Sequence, residues 1–145
     1  MSAAEVRLRR TLLGCRQPAA RIQTRLSPWP DGLERAFAGI GTAVYQTMWG
    51  PTEFGPVWGR LKGWDLTDRL QEIHVPTLLT VGRFDECPID HVAEMQSRIP
   101  QAELVVFEQG SHLHFFDERE HYMAVVNAFL DRVESAARPT CHVSG

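Results

Sequence analysis

The chain has 145 residues, of which 43% are hydrophobic and 23% are charged, and its formal net charge is −3. This composition is that of a folded globular protein of one ordinary domain, and it argues against a disordered or fibrous chain. The apolar runs are far shorter than the roughly 18 residues of a membrane span, and no signal peptide opens the sequence, so we expect a cytoplasmic protein with no membrane partner.

Charge is distributed unevenly along the chain. The first 25 residues hold six arginines and one glutamate, whereas the remainder holds nine basic and seventeen acidic side chains. An arginine-rich start occurs in transit segments and in arms that bind nucleic acid, but a solvated terminus is more common. The acidic remainder argues against nucleic acid as the main partner.

The three cysteines, Cys15, Cys87 and Cys141, are odd in number and far apart. They fit neither a disulfide framework nor a zinc spacing, so we predict free thiols and no metal centre. The neighbouring carboxylates of Asp85 and Glu86 should raise the pKa of the Cys87 thiol and make it a poor nucleophile.

Two regions of different character follow the arginine-rich start. Residues 26–65 are rich in Trp, Pro and Gly. Within them, apolar residues recur at helical spacing from Leu33 to Met48, with interruptions at Gly39 and Gly41. This pattern predicts one helix or two short ones.

The second region predicts helices and strands in alternation. We expect a short helix from Leu66 to Ile73, a strand from Thr77 to Val81, a helix over 88–100, a strand from Leu104 to Phe107 and a final helix over 117–136. The side chains expected to face the core are Ile89, Val92, Met95 and Ile99 of the middle helix and Tyr122, Val126, Phe129, Leu130 and Val133 of the last. Apolar strands separated by helices are typical of an α/β fold with a parallel sheet.

A side chain with catalytic potential follows each of the two predicted strands. Asp85 comes after the first strand, and His112, in Q-G-S-H-L-H-F, comes after the second. Ligands of parallel sheets bind beyond the carboxyl ends of the strands. An aspartate that orients the Nδ1–H of a histidine leaves Nε2 free as a general base towards a nucleophile. Acid before histidine is also the order found in α/β-hydrolases, in which a serine comes earlier still.

The sequence over about residues 25–133 resembles the carboxyl-terminal half of proline iminopeptidase, a serine aminopeptidase of the α/β-hydrolase superfamily. The resemblance rests on M-W-G-P-T-E-F, on H-V-P-T-L-L-T-V-G-R-F-D-E and on Q-G-S-H. It implies release of N-terminal proline from peptides by a Ser-His-Asp triad without a cofactor. In this chain Asp85 matches the triad acid and His112 matches the triad base.

The same resemblance implies a substrate-binding role for two glutamates. Glu53, in G-P-T-E-F, and Glu86, directly after Asp85, match the family's glutamates that hold the free α-ammonium group of the substrate. Two carboxylates distinguish a charged amino terminus from an internal amide because they make charge-assisted hydrogen bonds to it.

The resemblance also divides the chain and sets the expected fold. It implies an unmatched arginine-rich segment (1–24), part of a helical cap (25–65), the last strands and helices of the core (66–135) and a tail (136–145). The fold class expected is therefore α/β, as the carboxyl-terminal part of an α/β-hydrolase preceded by part of its cap.

One component of the family's chemistry is missing from the sequence. No G-x-S-x-G motif occurs in the 145 residues, so the nucleophile, the oxyanion-hole loop and the first strands are expected upstream of Met1. Ser111 does not replace the nucleophile, because neighbours such as Ser111 and His112 on an extended segment point to opposite sides. The chain alone is therefore expected to have no peptidase activity.

Three other interpretations remain open. An inactive fragment or interaction module would use an exposed sheet edge for self-association, or for complementation by a polypeptide that supplies the missing strands. A metal site could form from His112 and His114 with Asp85 or Glu86. Esterases and epoxide hydrolases share the arrangement of acid and histidine. Only Glu53 and Glu86 favour a peptide with a free amino terminus over the substrates of those enzymes.

Overall fold

A computed structural model describes residues 23–51 and 57–137 of the protein. Its elements in chain order are α1 (Asp31–Ala38), α2 (Thr42–Met48), a 3₁₀-helix (Thr67–Glu72), β1 (Thr77–Gly82), α3 (Ile89–Arg98), β2 (Ala102–Phe107), α4 (His114–Asp117) and α5 (Arg119–Ala137). The predicted alternation of helices and strands in the second region is confirmed. Across these two described ranges, none of the helices has the length and apolar character needed to cross a bilayer.

The apolar pattern that begins at Leu33 forms two short helices. Asp31 and Glu34 lie in the first turn of α1, where negative charge is favourable. Leu33 is the buried residue of α1, and Gly39 directly follows the last residue of this helix. The second helix, α2, starts after Gly41. The glycines that interrupt the sequence pattern therefore separate the two helices.

The two strands lie parallel and side by side. Their register pairs Thr77 with Ala102 at one end and Gly82 with Phe107 at the other. Both strands therefore end at the same level, and the loops that follow them leave from the same edge of the sheet.

The core lies where the helices meet these strands. Helix α3 packs on both strands, and its Val92 and the adjoining Ile99 are buried. The side chains of Val81 and Phe107 are 1% and 0% exposed. On α5, the ring of Tyr122 lies 5.7 Å from that of Phe107, measured between centroids.

Two side chains predicted to face the core are exposed. Met95 of α3 is 37% exposed and Leu130 of α5 is 45% exposed, and α5 has no fully buried residue. Neighbouring strands lie only about 4.8 Å apart, so the two strands among the described residues are too narrow to cover the apolar face of a long helix. The sheet itself shows the same effect, because Leu78 and Leu79 of β1 are only half-buried.

The expectation of an extended segment at Ser111 and His112 is wrong from His112 onwards. The chain turns at His112 and enters α4, where the N–H of Phe116 donates to the carbonyl of Leu113 at 2.8 Å. His114 is 6% exposed, so its burial brings this turn against the core.

Candidate active site

The loops that follow β1 and β2 are hydrogen-bonded to each other at the edge of the sheet. The N–H of Arg83 donates to the carbonyl of Phe107 at 2.8 Å, and the N–H of Phe84 donates to that of Gly110 at 2.9 Å. The guanidinium of Arg83 also makes a bidentate ion pair with Glu108, at 2.6 and 2.8 Å. These contacts hold the two loops in one arrangement.

Close approach of the loops requires glycine at two positions. A Cβ on Gly82 would lie 2.2 Å from the carbonyl oxygen of Ser111, and a Cβ on Gly110 would lie 2.5 Å from the Cβ of His114. No side chain fits at such distances, so larger residues would push the loops apart.

The side chains of Asp85 and His112 meet across this junction. Oδ1 of Asp85 lies 3.1 Å from Nδ1 of His112. The Asp85 side chain is 7% exposed and that of His112 is 42% exposed. The same Oδ1 accepts the N–H of Cys87 at 2.9 Å, so the carboxylate is also fixed by its own loop. Because an ionised carboxylate can only accept, the pair assigns the proton to Nδ1 and leaves Nε2 as the acceptor nitrogen.

Ser111, the serine next to His112, has a structural environment. It is 0% exposed. Its hydroxyl lies between two acceptors, the carbonyl oxygen of Gln23 at 3.0 Å and the carboxylate of Asp117, which share its one proton. A hydroxyl buried between these acceptors is not available to a substrate.

His114 is separated from His112 in both environment and hydrogen bonding. Its Nε2 lies 3.0 Å from the hydroxyl of Thr80, and its ring stacks on that of Phe107 with 4.9 Å between centroids. Burial lowers the pKa of His114 below its ordinary value. Among the described residues no group of three or more His, Cys, Asp or Glu side chains could hold a metal ion. The two histidines are thus engaged with different partners.

The thiol of Cys87 is exposed, but its environment opposes ionisation. Partial burial raises the pKa of the Cys87 thiol most, and the charges of Asp85 and Glu86 raise it further. This agrees with the sequence-based prediction that Cys87 is a poor nucleophile.

Of the two glutamates expected to bind an ammonium group, the structure describes Glu86. Glu86 is exposed and directly follows Asp85, at the same edge of the sheet. Glu53 lies outside the described residues, so the pairing of Glu53 with Glu86 stays a prediction.

Sequence reasoning missed two side chains that support the histidine loop. The hydroxyl of Thr24 donates to Oδ1 of Asp117 at 2.5 Å across a separation of 93 residues. Neither residue belongs to a motif, and a contact between such distant positions leaves no periodic signal in one sequence.

Comparison with known proteins shows which proteins the chain is similar to. No protein-family model matches it. It is 38% identical over 112 residues to proline iminopeptidase of Saccharolobus solfataricus, covering 77% of this chain and 36% of that protein. It is 40% identical over 110 residues to proline iminopeptidase of Heyndrickxia coagulans, covering 75% and 38%. The chain thus spans little more than a third of the length of these curated relatives.

Solved structures agree with the sequence matches. The crystal structure of Mycobacterium smegmatis proline iminopeptidase aligns with a TM-score of 0.75 and 27% identity, over 95% of this chain and 50% of that one. The crystal structure of VinJ aligns with a TM-score of 0.72 and 28% identity, over 92% of this chain and 49% of that one. The esterase from Exiguobacterium antarcticum aligns with a TM-score of 0.61 and 22% identity, over 89% of this chain and 46% of that one. At this identity it supports the fold alone. The chain is therefore a relative of the proline iminopeptidases, and its structure is a carboxyl-terminal part of the α/β-hydrolase fold.

Proposed function

We propose that this chain carries the acid and the histidine of a serine aminopeptidase that releases N-terminal proline from peptides. The observation that carries the proposal is the 3.1 Å contact between Oδ1 of Asp85 and Nδ1 of His112, made across the ends of two adjacent parallel strands. The sequence identity to proline iminopeptidases supports the substrate class.

In the proposed mechanism, His112 moves protons and Asp85 holds it. Nε2 of His112 takes the proton of a serine hydroxyl as that oxygen attacks the carbonyl carbon of the scissile bond. The imidazolium then forms beside the carboxylate of Asp85, which stabilises its charge, and Nε2 gives the proton to the leaving amine. In the second half, Nε2 takes a proton from the water that attacks the acyl carbon, and it returns this proton to the serine oxygen as the bond between that oxygen and the acyl carbon breaks.

The serine would belong to the polypeptide that completes the sheet. The 145 residues contain no G-x-S-x-G motif, and the chain matches only about a third of the length of its curated relatives. Residues upstream of the 145, or a separate polypeptide, could supply this part.

Recognition of the substrate's amino group is assigned to the two glutamates. Glu86 is one residue from Asp85, so it could contact a substrate whose scissile bond lies at His112. Glu53 would supply the second carboxylate. A substrate whose nitrogen is acetylated lacks the positive charge and should bind poorly.

The interaction-module interpretation has one observation in its favour. Among the described residues the sheet has two strands, and Leu78 and Leu79 of β1 are only half-buried. An apolar strand of this kind is normally covered on both faces and paired on both edges. Self-association or complementation through this edge is compatible with the catalytic proposal.

A hybrid enzyme tests the catalytic proposal. In it, the 112 matched residues of this chain replace the corresponding part of the Saccharolobus solfataricus relative. We expect the hybrid enzyme to hydrolyse proline arylamide, to hydrolyse N-acetylproline arylamide far more slowly, and to lose this preference in the Glu86→Gln variant. A folded hybrid without turnover, beside an active parent, would contradict the proposal. Equal turnover of both arylamides would favour an esterase-like substrate instead.

A further inference from the structure

The loop from Glu108 to Leu113, which carries His112, is held by two consecutive carboxylates. The N–H of Gln109 donates to Glu118 at 2.8 Å and the N–H of Ser111 donates to Asp117 at 2.8 Å. Backbone donors in a loop have no strand partner, so side-chain acceptors of this kind decide which conformation the loop adopts.

Asp117 makes more of these contacts than a surface acid normally does. Its Oδ2 accepts both the N–H and the hydroxyl of Ser111. Its Oδ1 accepts the hydroxyl of Thr24 at 2.5 Å and the N–H of Arg25 at 2.8 Å. Burial raises the pKa of Asp117, but the hydrogen bonds from Ser111, Thr24 and Arg25 outweigh it and hold this pKa below its ordinary value. Asp117 is therefore ionised at neutral pH, and its removal would leave several donors without an acceptor.

The backbone of Gln23 holds the same loop on both sides of His112. Its carbonyl oxygen accepts the hydroxyl of Ser111 at 3.0 Å and the N–H of Leu113 at 2.8 Å. Thr24, the next residue, is 1% exposed and bonded to Asp117. Residues 23–25 are thus part of the frame around the histidine.

Ser111 has little freedom to move when this frame is intact. On one side it is bonded to Asp117 and Gln23. On the other, its carbonyl oxygen lies against Gly82, at the end of β1, where even a Cβ would not fit. Asp85 follows Gly82 by three residues and His112 follows Ser111 directly, so the position of Ser111 sets the separation of the two side chains.

We infer that Asp117 is a positioning residue for His112, and that it fixes the distance from His112 to Asp85 by fastening Ser111 to residues 23–25. The catalytic meaning of this inference depends on the proposed function, but the positioning itself does not. Asp117 touches neither the imidazole nor a substrate, and its effect passes through the backbone of Ser111.

The test is the imidazole ¹⁵N spectrum of His112 in the full chain, under alkaline conditions in which imidazole is neutral. The His112→Gln variant assigns the signal. In the unaltered chain we expect the Nδ1–H tautomer, because Asp85 accepts that proton. In Asp117→Ala we expect a shift towards the Nε2–H tautomer. The control is Glu120→Gln, an exposed acid at the start of α5, which should leave the signal unchanged.

Milder variants keep the test informative if Asp117→Ala does not fold. Asp117→Asn retains one acceptor oxygen, and Thr24→Val removes a single donor, so both should give smaller shifts in the same direction. A folded Asp117→Ala chain, or folded Asp117→Asn and Thr24→Val chains, with the His112 tautomer unchanged would overturn the inference.

The same variants in the hybrid enzyme separate this inference from the proposed function. Misplacement of a catalytic group by about 1 Å costs on the order of 100-fold in rate, so Asp117→Asn should lower kcat by roughly 10- to 100-fold with little change in KM. A tautomer shift without any effect on turnover would leave the positioning role intact and count against the catalytic role of His112. A loss of turnover with an unchanged tautomer would count against the positioning role alone.

Discussion

Single residues bring the two loops together, and their signals in the sequence differ in strength. Asp85 and His112 could be predicted because each follows an apolar strand, and because parallel strands collect such residues at one edge. The role of Asp117 could not be predicted, since its partners Ser111 and Thr24 lie 6 and 93 residues away and the contacts depend on how the loops fold.

The spacing of His112 and His114 leaves His114 open as a metal ligand, and the structure gives His114 a different environment. Spacing alone cannot distinguish two rings on one side of a strand from a turn that buries the second ring. The turn at His112 and the start of α4 bury His114 against Phe107 and Thr80.

Burial of His114 makes the stability of the chain depend on pH. Burial is the main cause of the lowered pKa, and the charge of His112 acts in the same direction, whereas backbone acceptors at Ser111 and His112 and the charge of Asp85 oppose it. The unfolded chain therefore takes up a proton near the ordinary value of 6.5 while the folded chain still excludes it. This contribution to stability is present above that pH and is lost as the pH falls towards the folded-state pKa.

Urea unfolding at a series of pH values measures this effect. Between about pH 7 and pH 5, the free energy of unfolding of the unaltered chain should fall relative to that of His114→Phe, which keeps an aromatic ring but cannot titrate. If the free energy of unfolding changes with pH in the same way for the unaltered chain and for His114→Phe, His114 is not the source of the pH dependence.

At the scale of elements, the β1, α3 and β2 unit could be predicted almost completely. Its strands are apolar and short, its helix has a clear periodicity, and both kinds of signal are local. The exposed Met95 and Leu130 could not be predicted, because periodicity identifies the apolar face of a helix but not whether a sheet is wide enough to cover it. The short helix α4 was missed for a similar reason, since four residues give no periodicity.

The length of the loop after β2 should be critical for the site. Gly82 and Phe107 are paired in register, so the number of residues from Phe107 to His112 decides whether the imidazole reaches Asp85. One inserted residue adds up to about 3.3 Å of chain, which exceeds the tolerance of a hydrogen bond.

An alanine inserted between Gln109 and Gly110 is therefore expected to abolish the hydrogen bond from His112 to Asp85. The imidazole ¹⁵N spectrum of His112 would report this as loss of the Nδ1–H tautomer. The matched control is an alanine inserted between Pro100 and Gln101, both exposed, in the turn before β2. If the insertion after Gln109 leaves the His112 tautomer unchanged, the length of the loop after β2 does not control the hydrogen bond from His112 to Asp85.

At the scale of the whole molecule, the fold holds an acid and a histidine at the edge of the two-stranded sheet that the described residues form. The fold class could be predicted because the strand and helix order, together with the family resemblance, covers most of the chain. The substrate class stays a proposal, because the chain spans little more than a third of the length of its curated relatives. The central claim is that Asp85 and His112 act as a catalytic pair once the rest of the fold is present.

The most direct measurement of that claim is kcat for proline arylamide in the hybrid enzyme carrying Asp85→Asn or His112→Ala. Each substitution should lower kcat by on the order of 1,000-fold or more, because each removes one member of the proton-transfer pair. His91→Ala, which removes an exposed imidazole of α3, is the matched control and should leave kcat within about two-fold of the hybrid. A folded His112→Ala hybrid that turns over the arylamide at the rate of the control would contradict the claim.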